Sequence, residues 1–187
     1  MAHDDEPEFE AIAQAAKDAA AVLLSAEIPF ALGGGLACWA RGGPRTEHDV
    51  DFFVTPADAE RALEALAAAG YRTERPAEQW LLKAWVDDVL VDLIFDPSGG
   101  PVTDEWIERA EQAEFLALRL PIARLEDVLV TKVLAVNEQE PDFSSPLEIV
   151  RALREQIDWD EVRARADGAP FATAFLTLVE ELDIAPR

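Results

Sequence analysis

The chain has 187 residues, half of them hydrophobic, enough for one domain or for a core with a closely packed second lobe. Sixteen basic against 38 acidic residues leave a net charge of −22, which opposes non-specific attachment to nucleic acid or an anionic membrane and favours a polycationic partner. Cys38 is the only cysteine, so an intrachain disulfide and a cysteine-rich zinc site are both excluded.

The first residues, Met1 to Pro7, are acidic where a secretory signal would be basic. No apolar run approaches the roughly 18 residues of a membrane span, so a cytoplasmic protein that engages no membrane is expected. Apolar residues at helical spacing from Phe9 to Leu24 predict an amphipathic helix over 8–25. Ile28 to Leu32 reads as a strand that runs into Gly33-Gly34-Gly35, with a short helix from Leu36 to Arg41 directly behind. A strand over 49–54 is followed by Thr55-Pro56-Ala57-Asp58, which supplies an N-cap, a proline at the first helical position and an early acid for a helix over 56–69. Residues 80–86 and 89–95 read as a hairpin around Asp87-Asp88, although neither is the glycine a tight primed turn prefers. Beyond Pro97 come helical patterns at 103–112, 125–136, 144–156 and 170–182, with a short strand near 115–120. The pattern predicts an α+β fold, a mixed-sheet core over 1–100 followed by a helical lobe over 101–187.

Asp49 and Asp51 stand two residues apart on a strand, so their carboxylates leave the same face and repel unless a cation lies between them. Mg²⁺, which takes one or two carboxylates together with substrate phosphates, fits that need, as does Mn²⁺. Asp92 lies among Val89, Leu90, Val91, Leu93, Ile94 and Phe95, where an unpartnered carboxylate is costly to bury and so calls for a cation too. Lys132 falls within the helical stripe of Leu125, Val128, Leu129, Val133 and Val136, so it either snorkels or reaches a buried anion. His48 is expected on the strand face opposite the two aspartates, in a structural role.

Leu32, Gly33, Gly34, then Asp49-x-Asp51, then Asp92 on a later strand resemble the nucleotidyltransferase superfamily typified by DNA polymerase beta. The resemblance spans roughly residues 28 to 96. It implies an enzyme in which Asp49 and Asp51 hold two metals, Asp92 completes one of them and accepts the proton of an attacking hydroxyl, and Gly33, Gly34 and Gly35 approach the NTP. Arg45, close before the aspartates, either contacts phosphate or is a surface arginine. The segment Pro121 to Ala135 resembles that of AbiE-type and MenT-type toxin nucleotidyltransferases, in which a helical lysine, here Lys132, follows the core. Those toxins carry an acid about sixteen residues further on. Glu148 holds that place, and either enters the site or pairs with Arg151; Asp142 ranks behind it. Trp39, behind the glycine turn, is either core or a border for base or acceptor.

The leading expectation is therefore a metal-dependent enzyme that moves a nucleoside monophosphate from an NTP to an acceptor hydroxyl on the 3′ end of tRNA, as a toxin with an antitoxin partner. Against this, Arg151, Arg154, Arg163 and Arg165 are interspersed with Glu148, Glu155, Asp158, Asp160 and Glu161 rather than clustered. The alternatives are a small-molecule enzyme of the aminoglycoside or lincosamide resistance kind, whose polycationic drug an acidic pocket would suit, and a non-catalytic binding module.

Overall fold

The computed structural model describes residues 5–46 and 49–186; Met1 to Asp4 and His48, to which the acidic-terminus and strand-face readings apply, lie outside the described residues. The chain opens with α1 (Asp5–Ser25), β1 (Ala31–Leu32), α2 (Gly34–Trp39) and β2 (Asp49–Phe53). Next come α3 (Ala59–Ala68), β3 (Arg72–Glu74), β4 (Leu81–Val86), β5 (Val89–Ile94) and α4 (Asp104–Glu108). The remainder is β6 (Glu111–Phe115), β7 (Leu118–Ile122), α5 (Leu125–Ala135), α6 (Ser144–Leu153), a 3₁₀ turn, α7 (Trp159–Ala166) and α8 (Pro170–Glu181).

The strands form one mixed sheet in the order β3-β4-β5-β2-β1-β7-β6. β2 is parallel to β5, with Asp51 beside Asp92, and antiparallel to β1, which in turn lies parallel to β7. On β2 the alternate residues Val50 and Phe52 are fully buried, and the Phe52 ring meets Phe30 edge-on at 5.3 Å, so the other face is left to Asp49, Asp51 and Phe53. Helices α1 and α3 lie against β2, β4 and β5, and α5 packs among α2, α6, α7 and α8.

The predicted elements are present, with three corrections. The helix expected over 103–112 stops at Glu108, and the strand near 115–120 is instead a hairpin, β6–β7, turning at Leu116 and Ala117, both at positive φ. Since β7 pairs with β1, the sheet does not end near residue 100: the segment 101–187 contributes its last two strands before the helices begin. The third correction is the addition of β3 and α7. Helix α7 starts at Asp158, whose carboxylate accepts the N–H groups of Asp160 and Glu161, the ordinary means of satisfying donors at a helix start.

Thr55 does not cap α3 as expected: its hydroxyl accepts the Asp58 N–H at 3.2 Å and donates to Asp58 Oδ2 at 2.9 Å within a turn, and the helix expected from residue 56 begins only at Ala59, with Asp58 in the N-cap position. The tight turn of the β4–β5 hairpin forms without glycine because Asp87 and Asp88 take positive φ, +47° and +40°, a region aspartate tolerates better than most residues. Among the described residues no helix is long and apolar enough to cross a membrane.

Candidate active site

β2 and β5 present their carboxylates side by side. Asp51 and Asp92 are register partners on parallel strands and Asp49 is two residues back on the same face, so ligand oxygens of all three lie within 4.8 Å of one another. Asp92 is buried, and Asp49 and Asp51 are half-buried. Crowding of this kind raises the affinity of the charged form for protons. The Asp51 carboxyl is pushed up to about 7, by burial first and then by Asp49 and Asp92, against the opposing pull of Lys132 and Lys83. Burial likewise pushes Asp92 up, while Lys83 draws it back.

Lys83 is the residue that sequence reasoning missed. Its ammonium donates to Asp92 Oδ1 at 3.3 Å from the facing position on β4, so Asp92 has a protein counter-ion and was wrongly expected to lack one. The signal was available: a two-residue turn at Asp87-Asp88 fixes the hairpin register and sets Lys83 opposite Asp92.

The glycine turn sits against this cluster. The Gly33 N–H donates to the Asp51 carbonyl at 2.8 Å. A Cβ on Gly34 would lie 1.7 Å from Asp51 Oδ2, and its φ of +54° is itself unfavourable for a side chain, so glycine is required twice over. Gly35 packs against Thr46.

A cleft of about 560 Å³ lies over the carboxylates, lined on the sheet side by Gly34, Asp49, Asp51, Phe53 and Asp92, and on the α5 side by Val128, Thr131, Lys132 and Ala135. Lys132 is thus brought to the site as expected, though for a different reason. Helix α5 is not apolar on one stripe: Leu125, Glu126, Asp127, Val128, Leu129, Val130 and Val133 are all buried, and the half-buried Lys132 opens onto the cleft rather than outward. Among the described residues no ion pair within 4.0 Å engages Lys132, whose field nevertheless reaches Asp51 and Cys38. The Cys38 thiol is pushed up to about 11 by burial, which removes it as a nucleophile.

Arg45 and Glu148 are not drawn in. Arg45 is exposed and stacks over the Phe9 ring at 5.0 Å, and Glu148 is exposed on α6, outside the cleft lining. Asp142 is exposed as well and accepts the Ser144 N–H at 2.8 Å. Trp39 packs edge-on against Phe9 and Phe115, at 4.9 and 5.7 Å, and does not line the cleft.

What holds α5 in place is a buried ionic network. Asp127, fully buried, accepts from Arg109 on the α4 side and from Arg165 on α7 at 2.7 Å; Arg165 and Arg124 also reach Glu161, at 3.0 and 2.8 Å. Glu126 accepts the Asp158 N–H at 2.8 Å.

The donor set fits a hard divalent cation, since among the described residues the converging group is three carboxylates with no nitrogen or sulfur ligand, and their mutual repulsion is the cost such an ion relieves. The fold and cleft thus combine a mixed sheet, three converging acids beside a glycine turn, and a facing lysine. By its match over residues 12–172 the chain belongs to the family described as nucleotidyl transferase of unknown function (DUF2204), and it is a nucleotidyltransferase.

No curated protein matches the sequence. Among solved structures, the fold is shared with the antibiotic-resistance factor ANT(2'')-Ia in solution, at 18% identity and a TM-score of 0.64 over 91% of this chain and 94% of that one. The same factor in complex with adenylyl-2''-tobramycin gives 18% identity and a TM-score of 0.63 over 89% and 97%. The lincosamide antibiotic adenylyltransferase LnuA, bound to lincomycin, gives 14% identity and 0.51 over 73% and 92%.

Proposed function

We propose that this chain transfers a nucleoside monophosphate from an NTP to a hydroxyl of a small-molecule acceptor, with Asp49, Asp51 and Asp92 holding Mg²⁺ or Mn²⁺. The observation that carries the reading is the convergence of those carboxylates beneath Lys132 in one cleft. The divalent ion supplies charge neutralisation and alignment for in-line displacement. Lys132 binds the polyphosphate from the α5 side, and Gly34 leaves room for close approach beside Asp51. Asp92 takes the proton of the acceptor hydroxyl as its oxygen bonds to the α-phosphorus and pyrophosphate leaves; burial makes that carboxylate a better base.

A small acceptor is supported over tRNA by two observations. The arginines available for an RNA face are largely committed within the chain: Arg163 to Glu180 at 3.0 Å, Arg165 to Asp127 at 2.7 Å and Arg154 to Glu155 at 3.2 Å. The likeness to ANT(2'')-Ia, an antibiotic-resistance factor, also runs through the helical segment and not only the carboxylate core.

The test is to incubate the protein with Mg²⁺ or Mn²⁺ and each α-labelled NTP, offering aminoglycosides, lincosamides and total tRNA in parallel. Label on a small acceptor is expected. Label on tRNA alone would return the acceptor to RNA and revive the toxin role.

A further inference from the structure

Four carboxylates line the cleft, and three of them converge on the cation site; the fourth, Asp96, stands apart with a different setting. From Asp92 the cleft-facing surface continues through Ile94 to Asp96, so it runs carboxylate, apolar, carboxylate away from the reacting centre. Asp96 is exposed, and among the described residues no ion pair engages it. Beside it is Trp80, one of the few large apolar side chains left exposed, at 41%, and it too lines the cleft. The two are tied by the backbone, since the Trp80 carbonyl accepts the N–H groups of Phe95 at 3.0 Å and Asp96 at 3.1 Å. Pro97 and, from α5, Val128 and Ala135 complete an apolar wall.

An exposed indole beside an uncompensated carboxylate within a walled cleft is a recognition surface for an amine-bearing body with an apolar face. We infer that Trp80 and Asp96 form the acceptor subsite and select a cationic, polyhydroxylated small molecule, with its ammonium on Asp96 and its carbon skeleton over Trp80. The inference rests on the small-molecule reading above and adds the acceptor's charge. An ammonium makes a charge-assisted hydrogen bond to the carboxylate and an electrostatic contact with the indole face. An anionic acceptor meets repulsion at Asp96, and Lys132, which α5 presents between Val128 and Ala135, is engaged by the polyphosphate.

The experiment uses the full chain with Mg²⁺ and a non-hydrolysable ATP analogue, titrated calorimetrically with kanamycin A and with its tetra-N-acetyl derivative, which keeps the hydroxyls and loses the charges. Kanamycin is expected to bind at least tenfold more tightly than the derivative. Asp96→Asn should shrink that ratio to about twofold, Trp80→Ala should weaken both probes, and Trp80→Phe should recover most of the loss. Equal affinity for the two probes, no binding of kanamycin, or an unchanged ratio in Asp96→Asn overturns the inference. So does a Trp80→Ala variant that loses the ATP analogue and keeps kanamycin, which would give the indole to the nucleobase. Transfer to neutral hydroxyl compounds in the labelling assay would leave the small-molecule reading standing after such a failure, whereas labelling of tRNA alone would overturn both.

Discussion

Lys83 and Asp92 face each other across the β4–β5 hairpin, ammonium to carboxylate at 3.3 Å, so one of the three converging acids has an internal counter-ion. The pair is mostly shielded from solvent, with Asp92 the deeper partner, so its Coulombic interaction is only partly screened. Lys83 therefore competes with a metal for Asp92 while fixing where that carboxylate points. Lys83→Met should lower the melting temperature without metal, enlarge the rise produced by Mg²⁺ and tighten apparent Mg²⁺ affinity by about threefold to tenfold, or roughly 1 kcal/mol. Its kcat should nevertheless fall, with partial recovery in Lys83→Arg. Mg²⁺ titrations of melting temperature and turnover check both directions.

Asp51 gives the protein a pH signature. Its carboxyl titrates near 7 in the fold against an ordinary value of 3.8, so between those values the folded state holds a proton that the unfolded state has lost. Stability of the metal-free protein should accordingly fall as pH rises from about 4 to 7, with the full penalty present above 7. Asp51→Asn removes that penalty: its melting temperature should exceed the parent's above pH 7 and converge with it below pH 4, at about 2–4 °C per kcal/mol for a chain of this size. The same variant should lose nucleotidyl transfer and the stabilisation by Mg²⁺. Melting curves across pH, with and without Mg²⁺, measure all of these.

Lys132→Met keeps the apolar stem and removes the charge. If the ammonium binds polyphosphate, NTP affinity should drop by roughly tenfold to a hundredfold, equivalent to about 1.5–3 kcal/mol, with folding preserved. Unchanged affinity together with a raised melting temperature would assign Lys132 to snorkelling. Calorimetric titration with a non-hydrolysable NTP analogue and one melt decide it.

Asp127 is fully buried between Arg109 and Arg165, and removing one side of such a cluster strands the other. Asp127→Ala should cost about 3–5 kcal/mol, far more than loss of the exposed Arg75–Glu60 pair, which should cost less than about 1 kcal/mol. Urea melts of Asp127→Ala and Glu60→Ala give the comparison.

The carboxylate half of the site was legible because its causes are local: spacing of two on a strand fixes a face, and a glycine turn before it is a strong punctuation mark. Lys132 was singled out by its place in an apolar helical pattern, although α5 is buried on more than the one stripe that pattern implied. Lys83 was not, since its role exists only across a hairpin register, and Arg45 and Glu148 were drawn in by sequence order that the fold does not turn into proximity. β6, Glu111 to Phe115, hid because an edge strand pairs on one side only and keeps polar residues on exposed positions. α7 hid because its buried positions are only Trp159, Val162 and Ala166, among four charged residues, though Asp158 was a readable cap.

The late insertion of β7 beside β1 has a consequence for how the protein can be divided. The acids lie between residues 49 and 92, but the lysine above them arrives on a helix that leaves β7 directly, and the Ala123 N–H at that exit donates to Leu32 just ahead of the glycine turn, at 2.8 Å. A chain stopped near residue 100 would lack Lys132 and leave the three clustered carboxylates with Lys83 as their ion-pair partner among the described residues, and would bare the β1 edge that β7 covers. The catalytic half is therefore not a portable module: during synthesis its charge balance and its outer sheet edge are both completed only after residue 132 has left the ribosome.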